Sequence, residues 1–348
     1  MTRNRMSSLR VVLAIAAMLV ALAKPASATY PGKNGRIAFV EGPDIFTMNP
    51  DGSDVQQITF LGPDNAAFFQ SWSADGQQIV FSAFLAPDFH GQLWVMNADG
   101  SDQHLLFSDP SFADFAPNFS PDGSKVVFTR CQRIEHGTCA IYRVGVDGSD
   151  LTALTQFQPG VSDFWPLYSP DGRTIAFESF SRDGVLGAIY LMKANGSSIR
   201  PLTPPEPGAV DLDWSPDGAK IAFRTHCCNP QNEEIWVINA DGSGLKQLTR
   251  NNENWQGYDS APHDFAPSWS PQGNAIVFER DSPSFDSFAI FVINRDGSSQ
   301  RIVHEGSQRR AVKRPLSRGE AARKRGIGRP LELIEEGGQL PRWGPASN

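Results

Sequence analysis

The sequence has only four cysteines, a single long apolar run and little positive charge in its central part. The cysteines, Cys131, Cys139, Cys227 and Cys228, lack the spacing of a zinc site. The apolar run, Val11 to Leu22, has twelve residues, whereas a transmembrane helix needs about 20. No other stretch could span a bilayer, so we expect no membrane insertion of the mature chain.

Positive charge is scarce where the chain is longest. Residues 29–303 contain 17 Lys and Arg against 33 Asp and Glu, a net charge of −16, whereas residues 304–348 contain 10 against 5. Nucleic-acid binding depends on a basic surface that neutralises phosphates. We therefore expect no nucleic-acid partner for this acidic body.

Catalytic motifs are also missing. The sequence has no G-x-S-x-G nucleophile elbow and no H-E-x-x-H metal motif. Most aspartates belong to turn motifs, which explains their presence without catalysis. We therefore expect a protein that is not an enzyme. An active site dispersed over several repeats, with one carboxylate from each, stays open as an alternative.

The amino terminus has the composition of a signal peptide. Arg3, Arg5 and Arg10 precede the apolar run, and the small residues Ala26-Ser27-Ala28 follow it at the spacing that signal peptidase requires. We therefore predict that residues 1–28 are a cleaved signal peptide and that the mature protein is periplasmic or extracellular. The alternative is an uncleaved membrane anchor.

A motif of aromatic-Ser-Pro-Asp-Gly followed by an apolar triplet ending in Phe recurs along the chain. Its copies are W-S-A-D-G at 72–76, F-S-P-D-G at 119–123, Y-S-P-D-G at 168–172, W-S-P-D-G at 214–218 and W-S-P-Q-G at 269–273. A sixth triplet, 37–39, follows Asn34-Gly35. Pro, Asp and Gly each favour tight turns, so every copy predicts a hairpin.

A second motif, Asn-x-Asp-Gly-Ser, follows each triplet and precedes a strand that often ends in Leu-Thr. Its glycines are residues 52, 100, 148, 196, 242 and 297, at spacings of 48, 48, 48, 46 and 55. Together the two motifs predict units of four short antiparallel strands, A to D. Such units cannot bury both faces alone and must stack. We therefore predict an all-β, six-bladed β-propeller over residues 29–303.

These repeats resemble those of the TolB-like β-propeller family, a propeller of the WD40-like repeat type. The resemblance rests on W-S-P-D-G, I-A-F, I-W-x-x-N-A-D-G-S and L-T, and covers nearly all of residues 34–303. It implies the propeller fold. We expect the propeller only, without the N-terminal α/β domain of TolB, since residues 29–34 leave no room for one.

The first unit lacks an aromatic strand A before Asn34-Gly35, and an unassigned Leu340-Pro341-Arg342-Trp343-Gly344-Pro345 stands near the other end. We therefore predict that residues 340–348 form the closing strand of the first blade. Between the last repeat and this strand, residues 304–339 are rich in Arg and Gly and break the pattern. We predict a mobile basic insert there.

The loops between strands B and C and between D and A should share one face, the loop face, while the tight turns share the other, the turn face. Binding residues favour irregular loops. Two groups of candidates are expected near the channel or on these loops: the carboxylates Asp114, Asp163, Asp211 and Asp264, and the side chains of Trp255, Tyr258 and His263.

Each group has two interpretations. The carboxylates could ring the channel and bind a cation or a basic ligand, or each could cap its own loop. Trp255 and Tyr258 could contact a ligand or only pack the loops. His263 could join a metal site or be an ordinary loop histidine; no metal ligands are assigned.

Two cysteines lie at the ends of strands that should form a hairpin. Seven residues separate Cys131 from Cys139, so the two can face each other, and an exported protein permits a disulfide. We predict that they form one. Cys227 and Cys228 are adjacent, where a disulfide is strained, and their state stays open.

The favoured function is that of a non-catalytic scaffold that binds a protein or a polysaccharide through the loop face, without a cofactor. The alternative is an exported propeller hydrolase or lyase that uses channel carboxylates and a divalent cation in the central channel. Metal content of the purified protein distinguishes the two hypotheses.

Overall fold

The structure is a computed structural model of the chain. It describes residues 30–62, 64–134, 137–182, 187–204, 208–226, 233–251, 262–281, 287–307 and 341–346. The named elements in these ranges are all strands, twenty-four in number. In the same ranges, no helix is long and apolar enough to cross a membrane.

Six four-stranded antiparallel sheets, the blades, contain these strands. Blade one has β1 (Asn34–Glu41), β2 (Asp44–Met48), β3 (Gln56–Gln57) and, at its inner edge, β24 (Arg342–Pro345). Blade two has β4 (Ala66–Trp72), β5 (Gln78–Phe84), β6 (Gly91–Asn97) and β7 (His104–Phe107). Blade three has β8 (Phe112–Phe119), β9 (Lys125–Gln132), β10 (Cys139–Gly145) and β11 (Thr152–Ala153).

The remaining three blades repeat the same A-B-C-D order. Blade four has β12 (Ser162–Tyr168), β13 (Thr174–Phe180), β14 (Ala188–Lys193) and β15 (Arg200–Pro201). Blade five has β16 (Gly208–Trp214), β17 (Lys220–His226), β18 (Ile235–Asn239) and β19 (Lys246–Gln247). Blade six has β20 (His263–Trp269), β21 (Ala275–Asp281), β22 (Ser287–Asn294) and β23 (Arg301–Ser307).

The apolar core lies between the blades. Each of the six interfaces in the described chain has its own cluster of buried side chains, and the strand-B phenylalanines are central to them. These phenylalanines are 0–2% exposed: Phe39, Phe81, Phe128, Phe177, Phe223 and Phe278. One blade alone could not bury its apolar triplet. Stacking against the neighbouring blade therefore buries it.

The turn motifs satisfy their own polar groups. In the A–B turn of blade two, the Ser73 hydroxyl donates to Asp75, and Asp75 accepts the Gln77 N–H at 3.0 Å. In the C–D turn of blade one, Asp51 accepts both the N–H and the hydroxyl of Ser53. The aspartates of both motifs therefore build the turns that the sequence predicts.

Gly52 in that C–D turn is required twice. Its φ of +88° suits glycine, and a Cβ there would lie 1.8 Å from the Val303 carbonyl oxygen of blade six. The turn of one blade thus sits directly on strand D of the preceding blade.

The predicted closure is confirmed. β24 pairs antiparallel with β1, with Ile37 opposite Trp343. Trp343 is 5% exposed and packs with Ile37, Phe39 and Val277 between blades six and one. Its indole N–H donates to the Gly35 carbonyl at 3.2 Å. The chain terminus therefore supplies strand A of the first blade.

Strand β23 is longer than expected, because it continues to Ser307 beyond the predicted propeller boundary at 303. It pairs with β22 over this whole length. The basic insert predicted for 304–339 otherwise lies outside the described residues, as does the predicted signal peptide.

Candidate functional site

The innermost strands of blades two to six share a β-bulge near their middle. The register of strand A against strand B shifts at this point in all five blades. One residue of each bulge has left-handed φ, between 47° and 58°: Phe69, Ala116, Trp165, Asp211 and Ala266. A bulge re-aims side chains and takes an amide out of the ladder. These five residues therefore form an equivalent ring around the channel.

The amides freed by the bulges are bound by side chains of the preceding blade. The Ala116 N–H donates to the Ser82 hydroxyl at 3.1 Å, and the Trp165 N–H to the Thr129 hydroxyl at 3.0 Å. The Asp211 N–H donates to the Glu178 carboxyl. All three acceptors follow the strand-B phenylalanine. In blades two to four, this position therefore binds the bulge of the next blade.

A second ring lines the channel one residue before each strand-A aromatic. Its members are Ser71, Asn118, Leu167, Asp213, Ser268 and Arg342, all of which line one continuous cavity. Asn118, Asp213 and Ser268 accept the N–H of the next blade's aromatic residue. The Arg342 guanidinium lies 3.8 Å from Asp213. The channel wall is therefore polar and mostly hydrogen-bonded.

Tyr30 closes the turn-face end of this channel. Its side chain is 3% exposed, lines the cavity, and donates a hydrogen bond to the Phe119 carbonyl at 3.0 Å. Two residues later, the Gly32 N–H donates to the Pro271 carbonyl in the A–B turn of blade six. Burial raises the pKa of the Tyr30 phenol above its usual range. The segment thus crosses the channel at its turn-face end.

Aromatic side chains of blades two to four surround the loop-face end. Phe69, Phe115, Phe164 and Trp165, which we call the aromatic arc, have ring centroids 5.3–6.4 Å apart. Phe69 and Trp165 are half-buried, and Phe115 and Phe164 are buried. Such spacing is typical of stabilising aromatic contacts. The arc therefore presents rigid, partly accessible apolar surface.

The disulfide lies beneath this arc. Cys131 and Cys139 are directly opposite each other in β9 and β10, and their sulfurs are bonded. Both are buried and belong to the same apolar cluster as Phe115 and Phe164. The disulfide fixes the loop-face end of the β9–β10 hairpin, against which Phe115 and Phe164 pack. Cys227 and Cys228 lie outside the described residues.

Charged side chains of blades four and five continue the ring. The Arg224 guanidinium donates to Asp211 at 2.7 Å and lies 2.7 Å from a Glu233 oxygen. Glu178 binds the Asp211 amide, as described above. We call Glu178, Asp211, Arg224 and Glu233 the charged arc. Asp211 and Glu233 share this arginine, and the charges of Arg224 and Arg342 also act on Glu178.

Burial governs the ionisation of Glu178, which is 0% exposed. Desolvation, and then the neighbouring charge of Asp211, raises the pKa of the Glu178 carboxyl well above its ordinary value. In blade six, burial raises the pKa of Asp281 to about 6. The acidic side of the mouth therefore holds groups that are costly to ionise.

Three of the four predicted carboxylates pair with arginine side chains. Asp114, Asp163 and Asp264 are 0–1% exposed, and each binds an arginine. Asp114, for example, receives two hydrogen bonds from Arg130, at 2.7 and 2.8 Å. They accept these bonds from arginine side chains of their own blade. Each of these aspartates therefore forms an ion pair within its own blade, and the arginine compensates its charge.

The arginine partners are themselves enclosed by aromatic rings. The Arg130 guanidinium lies over Phe112 at 4.6 Å, and Arg280 lies over Phe291 at 4.5 Å. These contacts add cation–π attraction to the ion pairs. Asp211 is the exception among the four, since it occupies the bulge and keeps 14% of its side chain exposed.

The remaining predicted candidates are His263, Trp255 and Tyr258. His263 lies in β20 and is 1% exposed, with its Nδ1 3.4 Å from Glu233, so it is not an exposed loop histidine. Trp255 and Tyr258 lie outside the described residues. Within the described part of the chain, no group of three His, Cys, Asp or Glu has the geometry of a metal site.

Sequence reasoning missed the aromatic arc, Tyr30 and Glu178. The signal for the arc was present, since Phe69 and Trp165 stand three residues before the strand-A aromatics. Their direction depends on the bulge, which no residue type marks. Glu178 could have been found as the acidic member of a position that holds Ser82 and Thr129 in other blades.

A family model covers most of the chain. The model of the TolB beta propeller domain matches residues 71–315. The chain belongs to this TolB β-propeller family. The six blades and the repeated turn motifs are thus family features, whereas the mouth of the channel has to be interpreted from this chain's own residues.

Solved structures agree with the fold. TolB from Acinetobacter baumannii is 20% identical, with a TM-score of 0.66 over 99% of this chain and 73% of that one. A putative TolB from Agrobacterium tumefaciens is 22% identical, with a TM-score of 0.61 over 79% and 91%. An oligogalacturonate lyase in complex with manganese is 13% identical, with a TM-score of 0.51 over 80% and 75%.

At these identities, the similarity concerns the fold alone, and one of these proteins is an enzyme in name. No curated protein matches the chain by sequence. The function must therefore be argued from the site.

Proposed function

We propose that this TolB-family propeller is an exported, non-catalytic scaffold that holds a protein partner at the loop-face mouth of its channel. The aromatic arc carries this proposal. Phe69 and Trp165 are half-buried at an opening whose opposite end is closed by Tyr30. Because Tyr30 closes the turn-face end of the channel, a partner that contacts these aromatic rings would approach from the loop face.

The arc has the properties of a binding hot spot. Aromatic anchors that bury on association contribute much of the binding energy of protein interfaces, and polar groups around them exclude water. Here Phe115 and Phe164 pack behind the accessible rings, and both belong to the apolar cluster that contains the Cys131–Cys139 disulfide. The rings are therefore held in place before binding, which lowers the entropy cost of association.

The turn face is less suited to binding a partner than the loop face. Its aspartates bind their own turns, as Asp51 and Asp99 do with the following serines. These hydrogen bonds lower the pKa of both carboxyls. Oxygens already used in this way offer a partner little. This contrast supports the loop face as the working surface.

Export is supported by the predicted signal peptide and by the buried disulfide, since disulfides persist in oxidising compartments. The test is cross-linking capture from envelope and secreted fractions, followed by affinity measurement with variants. The double variant Phe69→Ala/Trp165→Ala should abolish binding of a captured partner, and Trp255→Ala/Tyr258→Ala should weaken it. The matched turn-face variant Asp51→Asn/Asp99→Asn should bind normally.

Loss of binding in the turn-face variant, with binding intact in the two loop-face variants, would reject the proposal. A captured polysaccharide would keep the scaffold and replace the partner class. Stoichiometric metal in the purified protein, together with hydrolase or lyase activity, would favour the enzyme hypothesis instead.

A further inference from the structure

We infer that the charged arc is a subsite for one basic side chain, a lysine or an arginine, of the protein partner. The inference rests on the proposed function, because it names the chemistry that the loop-face mouth selects. The partner segment would place an apolar residue on the aromatic arc and the basic residue beside Glu178, Asp211 and Glu233.

The internal repeat shows that Glu178 is more than its structural position needs. The position after the strand-B phenylalanine holds, from blade one to blade six, Val40, Ser82, Thr129, Glu178, Arg224 and Glu279. A hydroxyl suffices to bind the next blade's bulge amide, as Ser82 and Thr129 do. Blades one to three are uncharged here, and blades four to six are charged. Departures from a structural rule at a cost in stability mark functional positions.

One oxygen of Glu178 has nothing to bind. Its Oε1 accepts the Asp211 N–H, whereas its Oε2 is buried and has no hydrogen-bond partner in the structure. An unpartnered buried oxygen is costly, and more so when charged. Because Oε1 binds the backbone of Asp211, the carboxyl lies directly beneath that residue, which still exposes 14% of its side chain.

The charges of the arc leave room for a cation. Asp211 and Glu233 already share the Arg224 guanidinium, each at 2.7 Å, and the charges of Arg224 and Arg342 both act on Glu178, so three carboxyl groups face two arginines. Two acidic side chains reach the accessible edge beside Arg224, since Asp211, Arg224 and Glu233 keep 14%, 14% and 11% of their side chains exposed. A second cation would compensate Glu178 and strengthen its ionised form. The net charge of −16 over residues 29–303 would attract such a group from a distance.

The two arcs meet in blade four. Phe164 of the aromatic arc is the register partner of Glu178 across β12 and β13, and Trp165 follows it in the chain. An apolar residue and a basic residue close together in the partner can therefore engage both arcs at once. This juxtaposition favours a protein segment over an isolated metal ion.

The experiment selects ligands from a random 12-residue peptide library with the mature protein and compares wild type with Glu178→Gln. Glutamine keeps the acceptor for the Asp211 amide but cannot become the carboxylate that a bound cation would stabilise, so this variant should fold normally. Thr129→Ser is the matched control at the same position of an uncharged blade. Wild type and the control should enrich peptides with Lys or Arg next to an apolar residue, and Glu178→Gln should bind them at least about tenfold more weakly.

A double-mutant cycle assigns the contact. Replacing the selected lysine by norleucine, or arginine by citrulline, should weaken binding to wild type but change little in Glu178→Gln. Selection of acidic or uncharged motifs, equal losses in both proteins, or competitive displacement by calcium or manganese chloride would overturn the inference.

Different outcomes of this experiment reject the proposed function and the basic subsite. If enriched peptides bind the Phe69→Ala/Trp165→Ala variant as well as wild type, the mouth is not the binding site, whatever their charge. If they lose binding to that variant but not to Glu178→Gln, the mouth binds a partner and the basic subsite is wrong. No enrichment of any peptide would contradict both.

Discussion

Single side chains tie neighbouring blades together around the channel. Ser82 and Thr129 each accept a bulge amide of the next blade. Asn118, Asp213 and Ser268 each accept the N–H of the strand-A aromatic residue of the next blade. These amides have left the strand ladder, so the side chains satisfy donors that would otherwise be buried without a partner. These small polar side chains therefore have a structural role in joining neighbouring blades.

Thr129→Val tests this role. Thr129 is 0% exposed, and valine keeps its shape but cannot accept the Trp165 N–H. We expect a loss of about 1–3 kcal/mol in the free energy of unfolding, the usual cost of an unsatisfied buried donor. Urea unfolding measures it. The matched variant Thr152→Val, on an exposed strand end, should change stability by less than about 0.5 kcal/mol; equal effects would refute the role of Thr129.

Glu234 should make stability depend on pH. Burial raises the pKa of its carboxyl to about 7, although Thr249 and the Asn251 amide donate to it at 2.6 Å. A raised folded pKa contributes stability below the unfolded value near 4.5, and this contribution is lost as pH rises through about 7.

Glu234→Gln should therefore gain stability relative to wild type as pH rises from about 5 to 8, by up to roughly 3 kcal/mol. Urea unfolding at several pH values measures the difference. The exposed-turn variant Asp99→Asn should show no such change over this range, since its carboxyl has a lowered pKa. A constant difference between Glu234→Gln and wild type would contradict the burial argument.

At the scale of elements, one short strand completes the molecule. β24 provides strand A of blade one, and its Trp343 packs against blade six as well as blade one. The sequence predicted this closure because an unassigned Trp-Gly-Pro near one end matched a missing strand at the other. It did not predict that β23 would reach Ser307, since the repeats carry no signal for strand length there.

Ending the chain at Gln339 should therefore destabilise the whole ring and not only blade one. The change removes a buried tryptophan, which alone is worth about 3–5 kcal/mol, and leaves β1 with an exposed edge. Thermal unfolding should show a large drop in melting temperature or no cooperative transition. Removing only Ser347 and Asn348 is the control. A shortened chain that unfolds like wild type would show that β24 does not close the ring.

At the scale of the whole molecule, the repeat is symmetric but its channel mouth is not. Aromatic residues occupy the bulge ring and its neighbours in blades two to four, and acidic residues do so in blades four and five. The fold is thus shared by the family, and the specificity lies in which residues occupy equivalent positions. The net negative charge adds long-range attraction for basic partners.

Association of a basic peptide selected at the mouth should therefore slow as salt is raised. Charges exposed to solvent are screened beyond about 8 Å at physiological ionic strength, and beyond about 3 Å at 1 M. Stopped-flow fluorescence should show a falling association rate, whereas Trp165→Ala should weaken the complex without changing the salt dependence. An association rate that is independent of salt would exclude electrostatic steering.

The sequence by itself determined the fold, because Ser-Pro-Asp-Gly and Asn-x-Asp-Gly-Ser form turns from their own side chains and so mark the A–B and C–D turns of the blades locally. It also brought Cys131 opposite Cys139, since a hairpin fixes which residues face each other. Only the tertiary structure decided the fate of Asp114, Asp163 and Asp264, whose arginine partners are buried with them by blade stacking. The site was decided in the same way: a bulge turns Phe69, Trp165 and Asp211 towards the channel, and no local pattern records the direction of a side chain after a bulge.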